Sequence, residues 1–287
     1  MRGSLLLAVL LAPAPLFSQE KVNRGWSLDA DPSIRIHLAA GRLRITGWER
    51  DSLAVTGSIS AGGGRFYGGG SGKGAKLGVE TQDWSGSGPA STFDVSVPRG
   101  SRLWVKTASA AVEVNGVVGE VDLTSVTGNL TVTGNPRVLT GETVDGIVTA
   151  DGARGVLRLR AGGGSIVVRG GGGDITASTV GGAIDCTAER VERGRLETVT
   201  GPILFTGNVA PGAALEAETH SADITLRLLG TVDAELMLAS VGGVIYNRLT
   251  PKASGPLKSG KPVSFLLGSG GAQISARSFK GAVTVTR

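Results

Sequence analysis

Ser125-Val-Thr-Gly-Asn-Leu-Thr-Val132 decides the fold, because the same phrase recurs down the chain. Thr143-Val-Asp-Gly-Ile-Val-Thr-Ala150, Thr179-Val-Gly-Gly-Ala-Ile-Asp-Cys186 and Thr198-Val-Thr-Gly-Pro-Ile-Leu-Phe205 align with it position for position. Anchored on its glycine, the phrase falls at Ala110, Gly128, Gly146, Gly164, Gly182, Gly201, Ala222, Gly243 and, after a gap, Gly281. The first seven steps are 18, 18, 18, 18, 19, 21 and 21 residues. Self-similarity at a fixed period of this length marks a stack of equivalent units, each too small to bury its own core.

Within each unit an apolar pair stands two and four residues after the anchor, as in Leu130 and Val132 or Ile166 and Val168. About nine residues further on comes a second alternating segment, such as Val121-Asp-Leu123, Leu157-Arg-Leu159 or Leu215-Glu-Ala217. Alternation with period two predicts strands, and recurrent glycine excludes a helical stripe. The fold class expected is therefore all-β, a parallel β-solenoid with two short strands per coil of about 18–21 residues. Three residues before the anchor stand Thr107, Ser125, Thr143, Thr179, Thr198, Thr219, Ser240 and Ser278, a row of hydroxyls placed to bond from coil to coil. The valines that follow them, Val126, Val144, Val180, Val199 and Val241, are expected to pack beneath the bend.

Outward positions distinguish two faces. Beside the anchor they include Thr131, Thr149, Thr225 and Tyr246, with charge only at Glu113, Asp185 and Asp223. On the other strand they include Glu120, Asp122, Arg158, Asp174, Arg195 and Glu216, which reads as a hydrated exterior. The uncharged face is the expected contact surface, because charge is depleted at interface centres.

The remaining chain frames this stack. Residues 1–19 carry Arg2, the apolar run Ser4–Leu11 and a polar exit, the pattern of a signal peptide too short to span a bilayer. Residues 20–287 are expected to form one domain, secreted across the inner membrane to the periplasm, cell surface or medium. Gly41-Arg-Leu43-Arg-Ile45 repeats the pattern and is expected to cap the stack. A glycine-rich stretch at 61–91 has no periodicity and reads as a loop, with Phe66, Tyr67 and Trp84 as aromatic candidates for stacking on a ligand. A Pro/Lys loop is expected at 250–262, and Val283-Thr-Val285 as an open final edge for homo-association.

Composition narrows the chemistry. The net charge of +5 comes from scattered Lys and Arg, without the clustered stripe of a nucleic-acid binder. Two histidines, His37 and His220, and the lone Cys186 offer no metal cluster, so no cofactor is expected. Gly170-Gly-Gly-Gly-Asp174 echoes a calcium-binding repeat but occurs once. Asp185, Asp223 and Glu113 are the carboxylates that a carbohydrate-active β-helix enzyme would need, and they belong to separate coils.

The stretches Gly41-Arg-Leu-Arg-Ile-Thr-Gly-Trp48, Val95-Ser-Val-Pro-Arg-Gly100, Thr124–Val132 and Ser278-Phe-Lys-Gly-Ala-Val-Thr-Val285 resemble the bacterial "putative adhesin" family of secreted domains, over roughly residues 25–287. The resemblance implies an exported, β-rich cell-envelope protein with adhesion as its proposed role, and it supplies no catalytic residues. Separately, a surface glycan or an envelope protein is the kind of partner expected. The long glycine-rich stretch after Ala61 departs from the family's compact pattern. The expectation is thus a non-enzymatic binding or scaffold module acting through the Thr/aliphatic face. A polysaccharide hydrolase or lyase, or a self-associating structural protein, is the alternative.

Overall fold

The computed structural model describes residues 19–249 and 260–287, so the expected signal peptide, bar Gln19, and most of the Pro/Lys loop lie outside the described residues. The described chain is all-β, and its strands join in one sheet of mixed sense. The pairings arrange the strands in two columns whose inner faces share one core.

The first column runs from β4 (Arg65–Glu80) to the second half of β1 (Glu20–Leu38), then to β6 (Arg102–Thr107), β8 (Glu120–Ser125), β10 (Val138–Thr143), β12 (Val156–Ala161) and β14 (Gly172–Thr179). It continues through the later halves of β15 (Ile184–Thr198) and β16 (Ile203–Thr219) to β21 (Ala272–Ser278), β18 (Ala234–Ser240) and β20 (Val263–Leu267). The second column begins with β3 (Ser52–Ile59) on β5 (Ser91–Pro98), followed by β2 (Gly41–Trp48), β7 (Ala111–Asn115), β9 (Leu130–Thr133), β11 (Val148–Asp151) and β13 (Ile166–Arg169). The early halves of β15 and β16 come next, then β17 (Ile224–Leu228), β22 (Val283–Thr286) and β19 (Ile245–Asn247).

Equivalent repeat positions lie in register. Leu130 pairs with Val148, Val148 with Ile166, Ile166 with Ile184, and Ile184 with Ile203. These ladders are parallel. Antiparallel pairs among the described strands are β1–β3, β3–β5 and β18–β20, all toward the ends of the stack. Side chains from both columns meet in one buried cluster, and a Cβ added at Gly141 of β10 would lie 2.9 Å from Val148 Cγ1 of β11. A typical level contributes Val121, Leu123, Leu130 and Val132 to that cluster, each worth about 1.5–3 kcal/mol of burial before chain entropy is subtracted.

The corners rest on the hydroxyl row. Ser125, Thr143, Thr179 and Thr198 each accept the backbone N–H of the anchor three residues on, at 2.9, 3.0, 3.3 and 3.1 Å. The same hydroxyls donate to carbonyls of the level before, as Ser125 does to Ala108 and Thr179 to Gly164. Each therefore serves its own turn and its neighbour. The valines behave otherwise than expected: Val126, Val144, Val180, Val199 and Val241 are exposed, Val180 by 57%. With the hydroxyl turned inward at the bend, alternation sends the next side chain outward.

Both ends also depart from expectation. The level built by β1 and β2 is not the cap, because β4 and β5 lie outside it and β3 closes over β5. The glycine-rich stretch at 61–91, expected as a loop, contains β4. A Cβ at Gly64 would meet the Glu80 carbonyl at 2.1 Å and one at Gly70 the Ala75 Cβ at 2.6 Å, so residues 65–70 run back along 75–80 through Gly72 at φ +50°. At the other end the closing strand is not an open edge. β21 and β22 slide between the level of β16 and β17 and the level of β18 and β19. The chain skips a level, turns back with antiparallel β20, and fills the gap last.

Candidate functional site

On the outer face of the first column, near its N-terminal end, five strands form a groove of about 520 Å³. The alternation that buries Ile34, Ile36, Leu103 and Val105 points Arg35, His37, Trp104 and Lys106 outward. Register then assembles two rows across the strands. One runs Lys76, Arg35, Trp104, Asp122, Thr140; the other runs His37, Lys106, Thr124, Glu142. All nine residues line the groove.

Aromatic rings and cations interleave at one end. The Arg35 guanidinium lies 4.8 Å from the centre of the Trp104 ring, and Lys76 Nζ lies 5.5 Å from that of Tyr67. Tyr67 Oη and His37 Nδ1 share a hydrogen bond of 3.0 Å, and Trp84 meets His37 edge-on at 6.4 Å. Gly78 makes this closeness feasible, since a Cβ there would sit 2.7 Å from Tyr67 Oη and 2.4 Å from the His37 carbonyl oxygen. Trp84 and Trp104 keep much of their surface open to solvent.

The groove is electrically polarised along its length. Burial and then the charges of Lys76, Lys106 and Arg35 push the His37 pKa below its ordinary value, which favours a neutral ring. Burial and the neighbouring Glu80 raise that of Tyr67 and keep its hydroxyl protonated. At the other end burial and Glu142 raise the Asp122 carboxyl, against the opposing pull of Lys106 and a hydrogen bond from Trp104. Among the described residues, ion pairs occupy many surface arginines, including Arg44, Arg102, Arg137, Arg160 and Arg193. Arg35, Lys76 and Lys106 stand in none of the described pairs.

The residues singled out from sequence are divided among three places. Tyr67 and Trp84 touch His37 at the end of the groove and line an adjoining hollow of about 340 Å³ that shares Lys76 with it. Phe66, one residue from Tyr67 and so on the opposite side of β4, packs toward the core, 5.9 Å from Phe93. Thr131 and Thr149 are neighbours on the outer face of the second column. Thr225 and Tyr246 lie near its far end, with Thr284 of β22 between them. Val167, Asp185 and Leu204 separate the two pairs. The carboxylates of the enzyme alternative stay apart: Glu113 pairs with Arg44, Asp223 accepts the Ala282 N–H at 2.7 Å, and Asp185 lies two levels from Asp223. Asp174 is held by Arg193 at 2.9 Å rather than facing an open glycine loop.

Sequence reasoning missed Arg35, His37, Lys76, Trp104 and Lys106. A signal did exist, a tryptophan and three cations at outward positions of Arg35-Ile-His37, Trp104-Val-Lys106 and Lys76. It was hidden because β4 and β1 become neighbours only in the fold. A second groove of about 580 Å³ opens at the corner near the other end, where the His220 ring stacks on Phe279 at 4.9 Å between Glu197, Glu218 and Arg277.

No protein-family profile matches the chain, and no curated protein matches it. Two crystal structures are similar to it over most of their lengths. One, described as a putative cell adhesion protein from Clostridium sporogenes, is 8% identical, with 93% of this chain and 99% of that chain covered and a TM-score of 0.23. The other, a putative adhesin from Bacteroides fragilis, is 12% identical, with 93% and 98% covered and a TM-score of 0.33.

Proposed function

We propose that this chain is an exported, non-enzymatic binding module of the bacterial envelope, adhesin-like, whose parallel levels form a β-solenoid scaffold. The observation that carries this reading is the groove across β4, β1, β6, β8 and β10. There, the solvent-open Trp104 and three cations without ion-pair partners among the described residues converge from β4, β1 and β6 on one hollow, and Tyr67 and Trp84 line the adjoining hollow that shares Lys76 with it. A concave site with aromatic surface and a few oriented polar groups is how proteins hold small molecules and sugar chains. Its ligand is taken to be a surface glycan, because ring faces stack on sugars and carboxylates accept their hydroxyls.

Trp104→Ala tests it. On a glycan array the variant is expected to lose at least 10-fold in binding while keeping its melting temperature. Undiminished binding by Trp104→Ala would remove the groove from consideration.

A second reading rests on the neighbouring Thr131 and Thr149, which give the outer face of the second column an uncharged patch suited to an envelope protein. Thr131→Lys with Thr149→Lys separates the two. If that pair abolishes capture of a partner while Trp104→Ala does not, the flat face is the contact surface.

A further inference from the structure

We infer that the groove is selective for an acidic glycan chain, with an anionic sugar held among Arg35, Lys76 and Lys106 and neighbouring sugar hydroxyls donating to Asp122 and Glu142. This deepens the binding-module reading and rests on it. Charge complementarity is the first argument. Three cations from β4, β1 and β6 face one hollow, and none of them is neutralised by an ion pair among the described residues, although ten such pairs are formed elsewhere. Holding like charges this close costs free energy that a bound anion recovers. His37 lies among them, and burial first and then these cations disfavour its proton.

Length is the second argument. The groove crosses four inter-strand steps, about 19 Å at ~4.8 Å each, which exceeds a single small anion and suits a chain laid along the stack. The third is polarity along that length. Asp122 and Glu142 line the far half, where carboxylates accept hydrogen bonds from hydroxyls but repel a second anion. A single-stranded nucleic acid would place a phosphate at every residue and meet this acidic half unfavourably. A glycan carrying its charge on only some units does not. The Trp104 ring, with Arg35 stacked on it, supplies an apolar surface beside the cationic half for a sugar ring.

Calorimetric titration of the full chain with oligosaccharides of hyaluronate and of unsulfated chondroitin, which carry a uronate on every second sugar, with neutral dextran and with oligo-dT, tests this. At least one uronate oligosaccharide is expected to bind, dextran at least 10-fold more weakly. Lys76→Gln with Lys106→Gln is expected to cut uronate affinity at least 10-fold, as is raising salt from 50 to 500 mM, while Arg277→Gln changes nothing. Both lysine changes lie on the exposed face, and an unchanged melting temperature shows that the variant is folded. If dextran binds as tightly as uronates and Trp104→Ala abolishes it, the acidic selectivity is wrong and the binding groove stands. If oligo-dT binds more tightly than every uronate, the groove is a nucleic-acid site. If no glycan binds, or Trp104→Ala leaves binding intact, both readings fall together.

Discussion

At the scale of single residues, burial and local charge decide which groups react. Cys186 is enclosed in the core at a position held elsewhere by Val, Ala, Phe and Leu. Burial, then the neighbouring Asp185, push its thiol pKa up to about 12. The thiolate is the nucleophile, so native Cys186 is expected to resist a disulfide reagent at pH 8 and to react fully in guanidinium. Rapid labelling of the native protein would contradict the buried position. His37 makes a pH prediction of definite sign. Its pKa in the fold lies below the ordinary 6.5, so on acidification the unfolded chain takes the proton first. The stability this group contributes is complete above 6.5 and is lost as pH falls from there through the lowered native value. Melting curves of His37→Gln and of the parent should converge above neutrality, the parent falling more steeply toward pH 4. Parallel curves would mean that His37 is not held neutral.

The elements owe their geometry to close stacking at the corners. At Gly164 and at Gly201 a Cβ would sit 1.8 Å from the carbonyl oxygen of the anchor one level earlier, so the backbone must move to admit it. Gly164→Ala is expected to cost about 1–3 kcal/mol through overpacking, a fall in melting temperature of several degrees. Thr179→Val removes the acceptor of the Gly182 N–H and the donor to Gly164 and Gly162. Its expected cost, about 1–3 kcal/mol, comes from leaving buried polar groups without partners. Chemical denaturation checks both, and a loss under about 0.5 kcal/mol in either would deny the corner its structural role. The phrase Thr-Val-Xaa-Gly makes these bends legible in the amino-acid sequence itself. The direction of its valine is not, because alternation through a bend depends on which side chain turns inward first.

For the whole molecule, the order of levels is the main result. β22 is flanked by β17 and β19, so its amides belong to the interior of a ladder although they close the chain. Hydrogen exchange should find Val283 and Val285 protected like Leu130 and Val132 of the central levels, and exposed β20 exchanging sooner. Fraying of β22 would restore the simple winding order.

Repeats of 18 residues, alternation of period two and the hydroxyl–glycine corner are properties of neighbouring residues, and they sufficed to determine the strands, their inward faces and their register through the central levels. Three things depended on the tertiary structure alone: β4 and β5 outside the first level, the last level inserted beneath its predecessor, and the groove that joins Lys76, His37, Trp104 and Glu142. Each joins segments far apart in the chain. The period identifies a level but not its place in the stack, because every level offers the next the same ladder of N–H and carbonyl groups. Which levels meet is settled by the connections between them, and these have no period to read.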